Sequence, residues 1–264
     1  MFVVVCVLSV GFVALYWLGN RYTFHHIADV VPPAGIDARS FAGAFLFGLA
    51  MFGTLFLGVV LAVFLTLGVV RGDAERGLLQ PLVVRPVGRA TVLVARFIGA
   101  AGVCVPYVLG LYFATMAITG AEGSWWPDRI VTPGLELAAG VLVITALSLL
   151  GSVFLSSIAN GIAIFMIFGA GLVAGLLGNI GHALNSHGLV HAAKIAAWAL
   201  PFEALYQDAL RAVTEKTSGL TGFLIRLGPF GGAEQGGTTL RLWAIAYLLL
   251  VGALAVAGFA RRDL

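Results

Sequence analysis

His187 and His191 stand four residues apart, a spacing that puts both imidazoles on one helix face within reach of a shared metal ion. No carboxylate or cysteine adjoins them to complete a ligand set. Lys194 continues the same face, so a polar stripe on an outer helix is the better reading. His25 and His26 are adjacent, hence on different faces, and read as loop residues. Cys6 and Cys104 each fall inside an apolar run and are expected to be buried, inert thiols. Glu203 and Asp208, with the nearby histidines, come closest to the grouped acids and bases that a membrane-embedded lipid-modifying enzyme would need. A P-loop ends in Gly-Lys-Ser/Thr, and neither lysine of the chain, Lys194 or Lys216, follows a glycine. HExxH and GxSxG are missing as well. The chain is therefore expected to have no catalytic, cofactor-binding or metal site of its own.

The densest charge lies elsewhere. From Arg71 to Arg96 the chain reads RGDAERGLLQPLVVRPVGRATVLVAR, with five of its fifteen Lys and Arg residues alongside Asp73 and Glu75. A charge costs about 2.5–3.5 kcal/mol at the bilayer centre and little at its boundary, so this stretch belongs in water or at a headgroup surface. Asp73 suits the start of a short helix, Glu75 favours its first turn, and Pro81 limits its continuation. Leu78, Leu79, Leu82, Val83 and Val84 offer apolar surface to a partner or to the bundle base. Arg85-Pro86-Val87-Gly88-Arg89 forms a rigid turn, and Thr91 can cap the helix that follows. A plain connecting loop carrying orientation-setting arginines remains the simpler alternative.

What must position these residues is a set of membrane helices. Hydrophobic residues make up 60% of the 264 and charged residues 10%, against about 45–50% and about 25% in a soluble domain. Unbroken apolar runs rather than short alternating strands predict an all-α polytopic protein. Six spans are expected near 2–19, 41–70, 92–118, 134–155, 158–179 and 241–260, since about 20 helical residues cross the hydrocarbon core. They form one transmembrane domain over residues 1–264. The second is longer than a straight span requires and is expected to tilt or project beyond the bilayer, and Pro106 is expected to kink the third. The first resembles a signal-peptide core but lacks a basic flank and a cleavage site, and is kept as a span. The net charge of +3 is explained by arginines at span ends, with no basic and aromatic patch for nucleic acid.

With the N-terminus inside, Arg71, Arg76, Arg85, Arg89, Arg96, Arg261 and Arg262 become cytoplasmic, against Arg21, Arg39 and Arg129 outside. Both termini are thus expected in the cytoplasm. In the external connection 180–240, Phe202, Leu205, Tyr206, Ala209, Leu210 and Val213 repeat with helical period after Pro201. Glu203, Gln207, Asp208 and Arg211 fall on other faces, predicting an amphipathic helix at the outer interface or over the spans. Glu136 is expected at interface depth and Asn160 within the fifth span, where an interhelical hydrogen bond is its commoner role. Gly171 and Gly175 form GxxxG, for close packing inside one bundle or at a dimer seam.

The run Glu75-Arg76-Gly77-Leu78-Leu79-Gln80, then Pro86-Val87-Gly88-Arg89 and Arg96, resembles the permease subunits of ABC-2 type transporters. Leu200-Pro201-Phe202 and the ending Phe259-Ala260-Arg261-Arg262-Asp263-Leu264 are similar too. The likeness in layout covers nearly the whole chain, although members usually begin with a cytoplasmic amphipathic helix and this chain starts almost inside its first span. The resemblance implies a plasma (inner) membrane transport subunit, an exporter component paired with a second permease copy or paralogue. It implies that 71–96 is a cytoplasmic coupling helix, with Asp73, Glu75, Arg76, Gly77, Leu78, Leu79, Arg85, Pro86 and Arg89 docking a separate ABC ATPase that binds the ATP. A non-transporting assembly or anchor subunit is the other reading of the same motif.

Overall fold

The structure, a computed structural model, describes residues 2–27, 37–67, 88–215 and 237–261. All elements among the described residues are helices: α1 (Phe2–His25), α2 (Ala38–Thr66), α3 (Arg89–Gly123), α4 (Thr132–Phe154), α5 (Ser157–Ala183), α6 (His187–Ala199), α7 (Pro201–Val213) and α8 (Gly237–Ala260). Six of them, α1 to α5 and α8, are long and apolar enough to cross a membrane. The protein has the architecture of an all-α, multi-pass membrane protein. Helices suit this composition because each satisfies its own backbone hydrogen bonds, leaving only side chains to face lipid.

The bundle is built around α4. This helix packs against α2, α3, α5, α7 and α8, and 67% of its apolar window is buried, whereas only 6% of that of α1 is. The core joins Phe47, Met51 and Leu55 of α2, Tyr112 of α3, Leu137 and Ile144 of α4, Ile164 of α5, and Phe202 and Tyr206 of α7. α1 lies on the outside, tied to α3 through Ser9–Tyr107 at 2.7 Å and Tyr16–Thr119 at 2.5 Å. Its Cys6 is exposed rather than buried, because the helix turns that flank away from the bundle; Cys104 is buried as expected.

Boundaries differ from the sequence reading where local chemistry is decisive. Asp37 caps α2, accepting hydrogen bonds from the Arg39 backbone N–H at 3.2 Å and the Ser40 hydroxyl at 2.5 Å. The Ser40 bond chiefly holds the Asp37 carboxyl below its usual range. α3, not α2, is the longest helix: 35 residues against 29, or roughly 52 Å against roughly 43 Å at 1.5 Å per residue. It continues through Pro106 and ends at Ser124 in a left-handed cap with φ 50°. Gly88 precedes its first residue, so Thr91 lies inside the first turn rather than capping it. Leu155 and Ser156 separate α4 from α5, and Pro133 sits in the first turn of α4.

Alternating span directions give the bundle two ends. One gathers the C-terminal ends of α1, α3 and α5 with the N-terminal ends of α2, α4 and α8. All five tryptophans lie there: Trp17, Trp125, Trp126, Trp198 and Trp243. Trp17 donates to Glu122 at 2.9 Å, and Trp243 donates to the Trp198 carbonyl at 2.8 Å. Indoles gathered at one end of a bundle are the signature of a membrane–water interface. The C-terminal end of α2 and the N-terminal end of α3 lie at the opposite end.

Candidate functional site

The helical hairpin α6–α7 is inserted into the tryptophan-rich end of the bundle. Leu200 alone separates its two arms, and Pro201 starts the second, where its missing N–H costs nothing. Phe202, Leu205, Tyr206, Ala209 and Val213 are all buried, following the predicted apolar stripe. The expected polar face is divided: Asp208 and Arg211 keep part of their surface open, while Glu203 and Gln207 turn inward. Glu203 is 4% exposed and Gln207 is 7% exposed, because α7 is enclosed between spans instead of lying on them.

Two glycine flanks make that enclosure possible. An added Cβ at Gly140 of α4 would come 3.3 Å from the Phe202 carbonyl. On α5, a Cβ at Gly171 would fall on the Phe202 ring, and one at Gly175 on Glu203 Oε1. In this chain the GxxxG flank of α5 therefore receives α7. Glu203 and Gln207, one helical turn apart, pair through Gln207 Nε2 donating to Glu203 Oε1 at 2.6 Å. Glu203 Oε2 and Gln207 Oε1 have no hydrogen-bond partner among the described residues. Both side chains border a cavity of about 40 Å³ between α5, α6 and α7, walled by Gly171, Gly175, Gly178 and alanines. Burial raises the Glu203 carboxyl to about 7, against a lesser downward pull from Gln207. Burial also raises the Tyr206 phenol, and the neighbouring Glu203 charge adds to it.

A second polar cluster joins three helices at the same end. Arg241, the fifth residue of α8, reaches Glu136 of α4 at 2.6 Å and Asp208 of α7 at 3.3 Å. Glu136 is buried, 4% exposed. Arg129, just before α4, closes the surface by a two-pronged pairing with Glu215 at 2.5 and 2.9 Å. Asp128 N–H donates to the Val213 carbonyl at 3.1 Å beside it.

The opposite end carries a third polar node. Asn160 of α5 donates to the Ser148 carbonyl of α4 at 2.9 Å, and Ser148 pairs with Thr66 of α2 at 2.6 Å. This is the interhelical hydrogen bond expected of an asparagine in a span. Leu93 of α3 packs nearby with Leu149, Val153 and Phe259.

Of the sequence-derived residues, Asp73, Glu75, Arg76, Gly77, Leu78, Leu79, Arg85 and Pro86 lie outside the described residues, and only the backbone of Arg89 lies within them. Glu203 and Asp208 are not brought together: the first turns to α5, the second to Arg241 on α8. His187 and His191 are exposed, and no group of three metal-ligating residues occurs among the described residues. The sequence reading placed His187, His191 and Lys194 on an outer helix, as α6 has them, but missed the pairing of Glu136 and Asp208 with Arg241 and, second, the inward turn of Glu203 and Gln207. A signal for the second was available. Glu203 and Gln207 are four apart and face α5, the span richest in close glycines.

Compared with protein-family models and with curated proteins, the chain matches none.

Proposed function

We propose that the chain is the permease subunit of an ATP-driven transporter of the ABC-2 type, an exporter component that moves cargo using ATP hydrolysed by a separate cytoplasmic subunit. In this reading it resides in the plasma (inner) membrane with both ends of the chain in the cytoplasm, and pairs with a second permease. One observation carries it: the helix ends that the arginine-rich connection joins, the C-terminal end of α2 and the N-terminal end of α3, lie at the end of the bundle opposite the inserted α6–α7 hairpin. In this reading the connection receives work at one membrane face and the hairpin closes the bundle at the other. The helices α2 and α4 that flank the connection's root and the hairpin are also the most buried spans, so displacement at one end is carried through packed side chains.

A lipid-modifying enzyme needs acids and histidines gathered at one face, and the divergence of Glu203, Asp208 and the two exposed histidines gives it no such centre. An anchor subunit without a cargo path shares the docking surface and is separated by function alone. The test is recovery of the full chain in mild detergent with ATP present. A P-loop ATPase should co-purify, and Glu75→Ala with Arg76→Ala should cut its recovery several-fold. Unchanged recovery, or no nucleotide-binding polypeptide, contradicts the proposal. ATP-dependent cargo movement in vesicles then separates permease from anchor.

A further inference from the structure

We infer that Glu203 and Gln207 form an internal site for one small monovalent cation, a proton or Na⁺, at the seam of α5, α6 and α7. The site stands whether or not an ATPase drives the chain.

The argument is one of uncompensated charge. An ionised carboxylate buried in low dielectric is costly unless it meets a positive group. Glu203 is 4% exposed and makes no ion pair among the described residues. Its surroundings leave it none. Residues 157–178 of α5 contain no acid or base. On α6 the basic groups His187, His191 and Lys194 are exposed. On α4 the one charged group is Glu136, itself held by Arg241 of α8, which also holds Asp208 of α7. Arg211 is two turns further along α7, Tyr206 is a neutral neighbour, and Arg39 is in the first turn of α2.

Two oxygens await a positive ligand. Glu203 Oε1 is taken by the Gln207 amide at 2.6 Å, while Glu203 Oε2 and Gln207 Oε1 are both unpartnered, each on a side chain more than nine-tenths buried. Both residues border the same cavity of about 40 Å³. That is room for a bare ion with one or two waters, since a single water needs roughly 10–15 Å³ by the same measure. The walls contributed by Gly171, Gly175 and Gly178 add no side chain that competes for the oxygens. One carboxylate balances one positive charge, and a divalent ion would leave a net charge buried. The rise of the Glu203 carboxyl to about 7, caused by burial, agrees with ready uptake of a proton.

The full chain in lipid nanodiscs provides the test, with Glu203→Gln as the control that keeps the shape and removes the charge. Infrared difference spectra follow the C=O band of a protonated carboxyl from about pH 5 to about pH 9. In parallel, thermal unfolding is recorded in Na⁺ and in choline at equal ionic strength. A carboxyl band that titrates near neutrality and is absent from Glu203→Gln assigns the proton. A rise in unfolding midpoint of several degrees in Na⁺, absent from the same variant, assigns Na⁺. Should Glu203→Gln not fold, Gln207→Leu takes its place, and either signal should shift because one ligand oxygen and the amide donor are gone. A wild-type chain with neither signal, or with signals unchanged in both variants, overturns the inference.

Discussion

Arg241 holds Glu136 at 2.6 Å across the seam of α8 and α4, and the two residues differ sharply in surroundings: the carboxylate is 4% exposed and the guanidinium 43%. The pair therefore works asymmetrically. Removing the arginine strands a buried charge, whereas removing the acid leaves a cation that can turn to water. Arg241→Ala should destabilise the bundle by about 3 kcal/mol, the lower end for stripping a partner from a buried charge, because the arginine itself is partly solvated. Glu136→Gln should cost less, and the double variant Glu136→Gln with Arg241→Met should recover most of the loss. Unfolding in detergent reads all three, and equal costs for the two single changes would refute the asymmetry.

The seat of α7 on α5 predicts opposite outcomes for glycines of one helix. Gly175→Ala drives a methyl group onto Glu203 Oε1, and Gly171→Ala onto the Phe202 ring, so each should cost about 1–3 kcal/mol through overpacking. Gly169 has nothing within 4 Å of an added Cβ, and Gly169→Ala should be neutral or stabilise by up to about 1 kcal/mol. Thermal midpoints of the three variants decide the matter. If Gly169→Ala and Gly175→Ala behave alike, the hairpin is not seated as described.

Glu203 gives the fold a pH dependence of known sign. Its folded value, about 7, lies above the ordinary 4.5, so between those values the folded chain holds a proton that the unfolded chain has released. The contribution of Glu203 to stability should therefore be fully present at and below about pH 4.5, fall as pH rises to about 7, and level off above. The shift corresponds to about 3 kcal/mol across the window. Unfolding measured at stepped pH in the wild-type chain and in Glu203→Gln should differ by this decline. A stability that climbs with pH through the window, with a slope abolished by the same variant, would reverse the assignment.

The sequence disclosed what depends on local pattern. Six apolar runs gave six helices because length and hydropathy alone decide whether a segment can cross lipid. The stripe from Phe202 to Val213 gave α7 because its period is written in consecutive residues. What stayed hidden depends on residues far apart in the chain. On a helical wheel Glu203 and Gln207 belong to a polar face, and only the position of Gly171 and Gly175 against α7 turns that face inward. Arg241 and Glu136 are separated by 105 residues, so nothing local announces their pairing. Cys6 and Cys104 look equivalent in sequence and differ in burial because α1 is peripheral and α3 is not.

The proposed division of labour is tested most directly at position 75. A chain carrying Cys6→Ser, Cys104→Ala and Glu75→Cys has one reactive thiol, within the connection between α2 and α3. In native membranes a short bifunctional reagent should join that thiol to a P-loop ATPase, and a membrane-impermeant thiol label added from outside should leave it untouched. Labelling of position 75 from the external face, with no cross-link to a nucleotide-binding subunit, would contradict the account.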